Sequence, residues 1–363
     1  MAQPFSSFFE GPLLLQNIGV LLSGLKLSKT MTVLDFGAGT CWLSRFLNQL
    51  HCQTISCDPS ETALALGKRL FDEYPIVGSI VAEPRFLHFD GYTIDLPDNS
   101  VDRIINFSTF HHVPNQADIL AEFGRILKDG GIAGFSEPGR YHSQHPQSQW
   151  EMRNYNVLEN DIILEDILQL AREYGFTDMT CKVMANYDVS MKQYLGLSNN
   201  RWNLLLDGKL KHHVQNTITN QSIFFLHKGH YLPDSRGHAG LSHEIQLHKT
   251  EYAVAKGGEF TVDLKIKNTG QAKWLSENIT DVGVVKVGTH LYDHNEQLLE
   301  LDFTRHLFDE PVEPGDILQK EISISIPESG IFKLVIDLVS EGICWFEQIG
   351  ASPQEVIVTV AAE

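Results

Sequence analysis

The first residues able to do chemistry are an aspartate and two glycines at the end of an apolar segment. In VLDFGAGTCWLS, residues 33–44, Asp35 is followed by Gly37 and Gly39, and a helical pattern begins directly afterwards. Glycines between a strand and a helix let backbone amides approach a ligand, and the helix N-terminus adds a partial positive charge. A dinucleotide fingerprint would need a glycine where the chain has Trp42, and Asp35 would repel a pyrophosphate. The pattern favours a ligand with a cationic end.

Two more carboxylates end the next two apolar segments. Asp58 ends QTISCD, and Asp90 ends RFLHFD directly before Gly91. A carboxylate in the position of Asp58 can accept hydrogen bonds from both hydroxyls of a ribose. A carboxylate in the position of Asp90 can accept from an adenine amino group. Three acids around one glycine loop predict a site for a nucleoside that carries no phosphate.

These residues need a scaffold that brings strand ends together. From about residue 30 to 185, short apolar segments alternate with segments whose apolar residues recur every three or four positions. This alternation predicts a doubly wound α/β fold with a parallel sheet. The first domain is predicted to span residues 1–235, with an insertion at about 190–220 before its last strand. Ile18, Leu21 and Leu25 predict an N-terminal helix, and the helix NQADILAEFGRILKD is expected to end at Asp129.

From about residue 241 the helical period gives way to strict alternation. In EFTVDLKIKN, Phe260, Val262, Leu264 and Ile266 all lie on one face. Alternation between turn triplets such as Asn-Thr-Gly and Glu-Pro-Gly predicts an all-β, antiparallel sandwich of roughly seven strands over residues 241–363. The polar segment PDSRGHAG, residues 233–240, is predicted to be the linker.

The composition excludes several classes of function. Acidic residues outnumber basic ones by 46 to 28, and the resulting net charge of -18 repels a nucleic acid backbone. The five cysteines have no CxxC spacing, which is typical of a reducing compartment and carries no zinc signature. The longest apolar run near the start is too short to span a bilayer. We therefore expect a cytoplasmic protein without a membrane span or a nucleic acid partner.

The successive motifs resemble those of class I S-adenosylmethionine-dependent methyltransferases. VLDFGAGTCWLS, SCDPS, FDGYTIDLPDNSVDRIINFSTFHHVPN and ILKDGGIAGFSEPG carry the resemblance, which implies a Rossmann-like domain with S-adenosylmethionine as cofactor. The chain departs from the family at Cys41, where a third glycine is usual. Carried over by position, the implied cofactor-binding residues are Asp35, Gly37 and Gly39 for the methionine end, Asp58 for the ribose, Asp90 and Gly91 for the adenine rim, and Asn106, Phe107 and Ser108 for the methyl-donor side.

The resemblance implies methyl transfer, and an acceptor hydroxyl needs a group that removes its proton. Ligands of doubly wound sheets bind beyond the carboxyl ends of the strands. The candidate catalytic residues there are His111, His142 and Glu137, with His111 or His142 as the base. His112 is equally well explained by packing or helix capping. A divalent metal held by Glu137, His142 and His145 is an alternative, but their spacing is not diagnostic and no metal site is predicted.

The second half resembles the immunoglobulin-like modules of bacterial enzymes of surface polysaccharide assembly. NTGQAKWL and DLVSEGICWF carry this resemblance. It implies O-methylation of a sugar hydroxyl in glycan biosynthesis, and a sandwich that contacts a glycan-assembly protein or forms a homodimer. Trp274, Trp345 and Phe346 could stack on sugars or pack in the sandwich core. Two alternatives stay open: a methyltransferase of another small metabolite whose sandwich serves oligomerisation, and a non-catalytic scaffold that binds the cofactor.

Overall fold

The computed structural model describes residues 3–5, 7–74, 83–183, 188–198, 208–230, 233–278 and 281–361. The chain divides into two compact units, Met1–Tyr231 and Leu232–Glu363. Helices and strands alternate in the first unit, whereas the regular elements in the described part of the second unit are strands and one 3₁₀ helix, Phe346–Ile349. None of the helices among the described residues combines the length and apolarity needed to cross a bilayer.

The described part of the first unit contains a seven-stranded sheet flanked by helices. Its strands are β1 Thr32–Phe36, β2 Gln53–Asp58, β3 Arg85–His88, β4 Val101–Phe107, β5 Leu127–Pro138, β6 Phe176–Lys182 and β7 Gln221–Lys228. Its α-helices are α1 Glu10–Leu25, α2 Trp42–Gln49, α3 Glu61–Glu73, α4 Gln116–Ile126, α5 Pro146–Tyr155, α6 Leu164–Arg172, α7 Met191–Ser198 and α8 Gly208–Asn220. Two short 3₁₀ helices, Phe110–His112 and His142–Gln144, follow β4 and β5.

The strand order of this sheet is β3-β2-β1-β4-β5-β7-β6. Strands β1 to β5 pair in parallel, and β7 pairs antiparallel with both β5 and β6. The order reverses between β1 and β4, and ligands of doubly wound sheets bind beyond the carboxyl ends of the strands at such a reversal. The predicted doubly wound, Rossmann-like fold of this half is therefore confirmed. Helices α7 and α8 lie between β6 and β7, and residues 199–207 of the predicted insertion lie outside the described residues.

The sheet has an apolar core on each face, and neighbouring residues of a strand contribute to opposite cores. In β1, Leu34 belongs to the core that includes the α4 residue Phe123, and Val33 belongs to the opposite core, which includes Leu21 and Leu25 of α1. This division follows from the two-residue period of a strand. Ile18, Leu21 and Leu25 are buried, which confirms the predicted N-terminal helix.

Helix α4 ends earlier than the sequence pattern predicts. Its last residue is Ile126, and Leu127 already begins β5, where it pairs with Val101. The carbonyls of Arg125 and Ile126 accept hydrogen bonds from the backbone of the turn that precedes β4, at 3.0 and 2.9 Å. The apolar residue Leu127 therefore serves the sheet, and the prediction that the helix continues to Asp129 is wrong.

The second unit is a β-sandwich with one apolar core. Its strands are β8 His243–Leu247, β9 Glu251–Val254, β10 Glu259–Asn268, β11 Val285–Asp293, β12 Leu298–Leu307, β13 Ile317–Ser325, β14 Gly330–Ser340, β15 Cys344–Trp345 and β16 Gln354–Val360. One sheet has the order β13-β10-β8, and the other has the order β12-β11-β14-β16-β9 with β15 paired to β14. Phe260, Val262, Leu264 and Ile266 all face the shared core, as the alternation predicts.

Two details of the second unit differ from the predictions. Nine strands are described instead of roughly seven, and β9 pairs in parallel with β16, so the sandwich is not purely antiparallel. Residues 233–240 are part of the unit and not a free linker. The backbone N–H of Ser235 donates to Lys273 O at 2.9 Å, and Ser340 Oγ donates to Ser235 O at 2.6 Å. These bonds explain why the second unit begins at residue 232, whereas the polar composition predicts a start at 241.

Candidate functional site

The loop after β1 approaches the residues that follow β4. The backbone N–H groups of Gly37 and Ala38 both donate to Cys57 O, at 2.8 and 3.0 Å. Gly37 has φ +72°, and a Cβ atom there would lie 2.0 Å from the side chain of Thr109. Gly39 has φ +53° and faces open space, since an added Cβ would meet nothing within 4 Å. The first glycine is needed for close packing inside the protein, and the second leaves room for a ligand.

Asp58 lies at the end of β2, beside the glycine loop. Its Oδ2 accepts a hydrogen bond from Gly39 N, and its Oδ1 accepts from Ser60 N, both at 2.8 Å. Ser60 is the N-cap of α3, because its Oγ accepts from Ala63 N at 3.2 Å. A carboxylate has about four lone-pair sites, so each oxygen of Asp58 can accept one more hydrogen bond. The predicted role of Asp58 toward ribose hydroxyls is compatible with this geometry.

Asp35 is buried beneath the same loop. Its Oδ2 accepts a hydrogen bond from Ser44 Oγ at 2.6 Å, and Ser44 Oγ accepts one from Ser56 Oγ at 2.7 Å. Burial raises the pKa of Asp35 to about 6, the Ser44 hydrogen bonds act in the opposite direction, and the nearby charge of Asp58 raises the pKa further. Asp35 is therefore a carboxylate whose ionisation would be favoured by a cationic group placed at its side.

Asp90 and Gly91 lie beyond the end of β3. The strand ends at His88, two residues earlier than the pattern predicts. Asp90 is exposed, and its Oδ1 accepts hydrogen bonds from Tyr92 N and Thr93 N at 2.8 Å, which lowers its pKa. Gly91 has φ +97° and open space where a Cβ would be. The two residues form a turn at the surface, and no hydrogen bond to the second carboxylate oxygen of Asp90 is found among the described residues.

The three residues predicted to line the methyl-donor side differ in exposure. Asn106 is completely buried, and neither atom of its side-chain amide has a hydrogen-bond partner among the described residues. Phe107 is half-buried and contacts Trp42 edge to face at 5.7 Å between ring centroids. Ser108 is exposed and has φ +51°, while its N–H donates to Ser136 O at 2.8 Å. Of these three residues, Phe107 and Ser108 offer surface at the switch point between β1 and β4, and Asn106 does not.

Cys41 occupies the position at which the resemblance implies a glycine. Its backbone has φ +59°, a left-handed conformation that costs a non-glycine residue roughly 1–2 kcal/mol. The thiol is fully buried against Gly67, where a Cβ atom would lie 2.3 Å from Cys41 Sγ. The chain thus has a left-handed backbone at this position, which a glycine adopts readily, and fills the space beside α3 with a sulfur atom.

Glu137 organises the residues that follow β4. Its Oε1 accepts hydrogen bonds from the backbone N–H groups of Thr109 and Phe110, each at 3.0 Å. Its Oε2 lies 2.6 Å from His111 Nδ1. Both residues are buried, Glu137 at the end of β5 and His111 in the 3₁₀ helix after β4. A carboxylate beside Nδ1 places the ring proton there and leaves the lone pair on Nε2, which is the arrangement of a general base.

A second buried carboxylate, Glu159, completes this cluster. Its Oε2 lies 2.7 Å from His142 Nε2 and 3.6 Å from His111 Nε2. Its Oε1 lies 3.6 Å from His112 Nδ1. We call these five residues, His111, His112, Glu137, His142 and Glu159, the His–Glu cluster. It brings together all three residues predicted to be catalytic.

Sequence reasoning missed Glu159 because it lies between α5 and α6, outside any motif. The segment around it is held in place by several hydrogen bonds. Asn160 N donates to His111 O at 2.9 Å, and His112 Nδ1 lies 2.6 Å from Leu158 O. The one available signal is that Glu159 lies in the segment LENDII, which also contains the buried residue Ile162. That signal does not identify the histidines as partners.

The alternative metal set of Glu137, His142 and His145 is not assembled. His145 is exposed and caps α5, since its Nδ1 accepts from Gln147 N at 3.3 Å. Both oxygens of Glu137 are engaged by the 3₁₀ helix after β4. His142 instead faces Glu159.

The aromatic residues proposed for sugar stacking in the second unit are buried. Trp274 and Phe346 have no exposed surface and belong to the sandwich core. Trp345 is 7% exposed and is covered by Arg305, whose guanidinium carbon lies 4.3 Å from the ring centroid. Trp274 and Phe346 therefore pack inside the sandwich and Trp345 packs beneath Arg305, which favours the packing alternative over contact with sugars.

The comparisons with known proteins agree with this geometry. Residues 34–135 match the model of a family described as "Methyltransferase domain". The first unit contains a methyltransferase domain. The cofactor of this domain is S-adenosylmethionine. The glycine loop fits such a ligand, because Gly39 and Gly91 both face open space and Asp58 retains acceptor capacity beside them.

Among curated proteins, the chain is 29% identical over 147 residues to a "probable S-adenosylmethionine-dependent methyltransferase" of Mycobacterium tuberculosis, covering 40% of this chain and 49% of that protein. A protein of Mycolicibacterium smegmatis with a similar name is 26% identical over 137 residues, covering 37% of this chain and 49% of that protein. The chain thus spans about half the length of the curated relatives that it matches.

Two solved structures are similar to the methyltransferase half. The YcgJ protein of Bacillus subtilis has a TM-score of 0.42 at 13% identity, covering 59% of this chain and 99% of that chain. Phosphoethanolamine N-methyltransferase 2 of Haemonchus contortus, in complex with S-adenosylmethionine, has a TM-score of 0.43 at 18% identity, covering 59% of this chain and 52% of that chain.

Proposed function

We propose that the protein transfers a methyl group from S-adenosylmethionine to a hydroxyl group, with His111 as the general base. The observation that carries this proposal is the contact between the glycine loop and the His–Glu cluster. Thr109 Oγ1 donates to Gly37 O at 3.3 Å, and Thr109 N donates to Glu137 Oε1 at 3.0 Å. His111, the predicted base, is therefore only two residues after Thr109, which contacts the glycine loop.

Each half of the site has a separate task in this mechanism. Asp35, Gly37, Gly39 and Asp58 hold and orient the cofactor, which supplies an electrophilic methyl group on a sulfonium. Alignment of donor and acceptor contributes up to about 7–11 kcal/mol to such bimolecular reactions. The exposed turn at residues 90–91 borders the adenine end, and Phe107 and Ser108 border the reacting end.

Glu137 controls the protonation state of the proposed base. With the proton on Nδ1, His111 can accept the hydroxyl proton at Nε2 as the methyl group is transferred. The resulting imidazolium lies 2.6 Å from Glu137 and 3.6 Å from Glu159, so both carboxylates stabilise its charge. A placed base of this kind typically accelerates proton transfer by about 10²–10⁴-fold. His142 positions Glu159 through the 2.7 Å contact between them.

We further propose a sugar hydroxyl as the acceptor, in the biosynthesis of a surface glycan. The support is the resemblance of the second half to modules of polysaccharide-assembly enzymes, together with a base suited to a hydroxyl. The burial of Trp274 and Phe346 removes these two as sugar-stacking residues, so the sandwich is proposed to contact a protein partner or a second copy.

Calorimetry with S-adenosylhomocysteine, the demethylated product, tests the donor site. We expect micromolar binding, and Asp58→Ala should weaken it by about 10-fold or more because a charge-assisted hydrogen bond contributes ~1.5–3 kcal/mol. Asp72→Ala is the matched control, since Asp72 is an exposed acid on the neighbouring helix α3. An absence of binding in the wild type would contradict the proposed activity, and equal affinity in Asp58→Ala would move the ribose away from β2.

Transfer of labelled methyl groups to a panel of nucleotide sugars and polysaccharides tests the acceptor. Product should form with a sugar, and His111→Gln should slow its formation by about 10²–10⁴-fold while leaving S-adenosylhomocysteine affinity unchanged. Methylation of non-sugar metabolites alone would contradict the sugar proposal and leave the hydroxyl-directed mechanism in place.

A further inference from the structure

We propose that His111, His112 and Glu159 form a binding site for one divalent transition-metal ion. One possible ligand atom from each of the three residues lies within 4.8 Å of the others. The sequence predicts no metal here, and the alternative set that it offers consists largely of other residues. The site differs from the donor site and does not depend on cofactor binding.

His111 Nε2 lies toward Glu159, and one of the two Glu159 oxygens, Oε1, is without a hydrogen bond among the described residues. His111 Nδ1 is engaged by Glu137, so Nε2 carries the lone pair, and Nε2 lies 3.6 Å from Glu159 Oε2. Glu159 Oε1 is buried and has no hydrogen-bond partner among the described residues. Ligand atoms that share an ion at ~2.0–2.1 Å lie roughly 3.0–3.4 Å apart, so the three ligand atoms, which lie within 4.8 Å of one another, must approach by as much as roughly 1–2 Å to share one ion. An unpartnered buried carboxylate oxygen is costly unless an ion or a proton reaches it.

His112 supplies the third ligand from the exposed side of the cluster. Its Nδ1 lies 3.6 Å from Glu159 Oε1 and 2.6 Å from Leu158 O. Ligation through Nδ1 exchanges the hydrogen bond to Leu158 O for a bond to the ion. Since the side chain of His112 is 43% exposed, an ion at this position can be reached from solvent.

The charge of the cluster also calls for a cation. Glu137 is 1% exposed and Glu159 is 3% exposed. Within the part of the chain that the structure describes, all the ion-pair partners of these two carboxylates are histidines. Two buried carboxylates without a permanent positive charge are strongly unfavourable. Protons, on the imidazoles or on the carboxylates themselves, or a metal ion can balance them.

The residues around the three ligands have the arrangement of an outer coordination layer. Glu137 holds His111 Nδ1, and His142 Nε2 holds Glu159 Oε2 at 2.7 Å. A carboxylate on the far nitrogen of a ligating histidine fixes the ring and raises its basicity as a ligand. In this arrangement His142 contacts Oε2 of Glu159, and Oε1 stays available to an ion.

The chemistry of the ligands selects the class of metal. Two imidazole nitrogens and one carboxylate are typical of zinc and related transition metals, whereas magnesium prefers oxygen ligands. Three protein ligands leave at least one position open. On the proposed function, an acceptor hydroxyl bound there would have a lowered pKa. The Nε2 lone pair cannot both bind the ion and accept a proton, so His111 acts as the base only in the metal-free protein, and in the metal-loaded protein the ion would activate the hydroxyl instead.

Calorimetric titration of metal-free protein with zinc, and with cobalt followed by its visible absorption band, tests the site. We expect one ion per chain for both metals and no comparable binding of magnesium. Glu159→Gln should weaken zinc binding by at least ~100-fold, since outer-layer changes alone cost ~10–100-fold. Glu165→Gln is the matched control, because Glu165 is an exposed acid paired with Arg140 and should leave zinc affinity unchanged.

The outcomes separate this inference from the proposed function. S-adenosylhomocysteine binding by Glu159→Gln shows that the variant is folded. Absence of stoichiometric zinc binding in the wild type, or equal affinity in Glu159→Gln, would overturn the metal site and leave protons on the histidines to balance the charge. Failure of the donor titration would overturn the proposed activity and leave the zinc result unaffected.

Discussion

The donor loop, by which we mean the glycine loop together with Asp35 and Asp58, lies at the same edge of one sheet as the His–Glu cluster. The two regions stabilise their buried carboxylates in different ways. At the donor loop, Asp58 accepts hydrogen bonds from two backbone N–H groups, those of Gly39 and Ser60. In the cluster, Glu159 is in contact with imidazoles and keeps one buried oxygen without a partner. Backbone amides are always present in the folded chain, whereas an imidazole changes its charge near neutral pH. The Asp58 contacts therefore do not depend on a titrating partner, and the proposed metal ion would bind at the cluster, where a buried carboxylate oxygen lacks a hydrogen-bond partner among the described residues.

Glu137 links the two regions, and its loss should have the largest effect. In Glu137→Ala, the N–H groups of Thr109 and Phe110 and the ring of His111 lose their acceptor. Each unsatisfied buried donor costs ~1–3 kcal/mol, so the three donors together should lower the free energy of unfolding by roughly 3–9 kcal/mol. Urea denaturation of the wild type and the variant measures this difference.

Glu137→Gln is the matched variant that keeps the fold and changes the histidine. The amide oxygen can still accept from Thr109 and Phe110, so the loss of stability should be about 1–2 kcal/mol. The amide NH₂ facing His111 Nδ1 reverses the tautomer and places the proton on Nε2. Nitrogen NMR of the ring should detect this change, together with loss of zinc affinity. If Glu137→Ala were as stable as Glu137→Gln, the carboxylate would not be holding the 3₁₀ helix.

Asp35 is the exception on the donor side, and its titration should give the next largest effect. Its pKa is about 6 in the folded protein and 3.8 in the unfolded chain, so the folded state binds the proton more tightly. Stability is therefore highest below pH 4 with respect to this group, falls as pH rises to about 6, and stays lower above it. A shift of about two units corresponds to roughly 2–3 kcal/mol.

Asp35→Asn should remove this pH dependence. The amide oxygen can still accept from Ser44, so the variant should be more stable than the wild type at pH 8 by roughly 2–3 kcal/mol and equal to it near pH 4. Thermal denaturation across this pH range measures the difference, with Asp72→Asn as an exposed control. If the difference in stability between the wild type and the variant were the same at both pH values, the pKa of Asp35 would not be raised in the folded protein.

The same comparison shows what the sequence could predict. The donor side is built from local segments, so the positions of Gly37, Gly39 and Asp58 follow from strands that end in an acid or a glycine. For His111 and Glu137, the sequence predicts only that the two residues lie near the ends of neighbouring parallel strands. It does not predict their contact. Their contact joins residues 26 apart in the chain, and its 2.6 Å distance depends on the 3₁₀ helix after β4.

Glu159 and the extent of the second unit could not be predicted in this way. Glu159 reaches the cluster because Asn160 and Leu158 are bonded to the backbone and ring of residues 111 and 112. Nothing in the periodicity of residues 156–163 records those contacts. Residues 233–240 have the composition of a linker, yet Ser235 is bonded to Gly283, just before β11, and to Ser340 of β14. Tertiary hydrogen bonds decided both cases, and neither composition nor spacing encodes them.

Cys41 provides the smallest and most discriminating test of the donor loop. In a buried position, alanine normally replaces cysteine at lower cost than glycine, because it keeps more apolar contact and restricts the unfolded chain. Here the left-handed backbone of Cys41 reverses this order, since glycine adopts φ +59° without a steric penalty. We expect Cys41→Gly to be more stable than Cys41→Ala by about 0.5–1 kcal/mol, measured by urea denaturation. Both variants lose the sulfur packed on Gly67, so that loss cancels in the comparison. The opposite order would show that the loop relaxes out of the left-handed conformation when the thiol is removed, and S-adenosylhomocysteine affinity should then fall in Cys41→Ala.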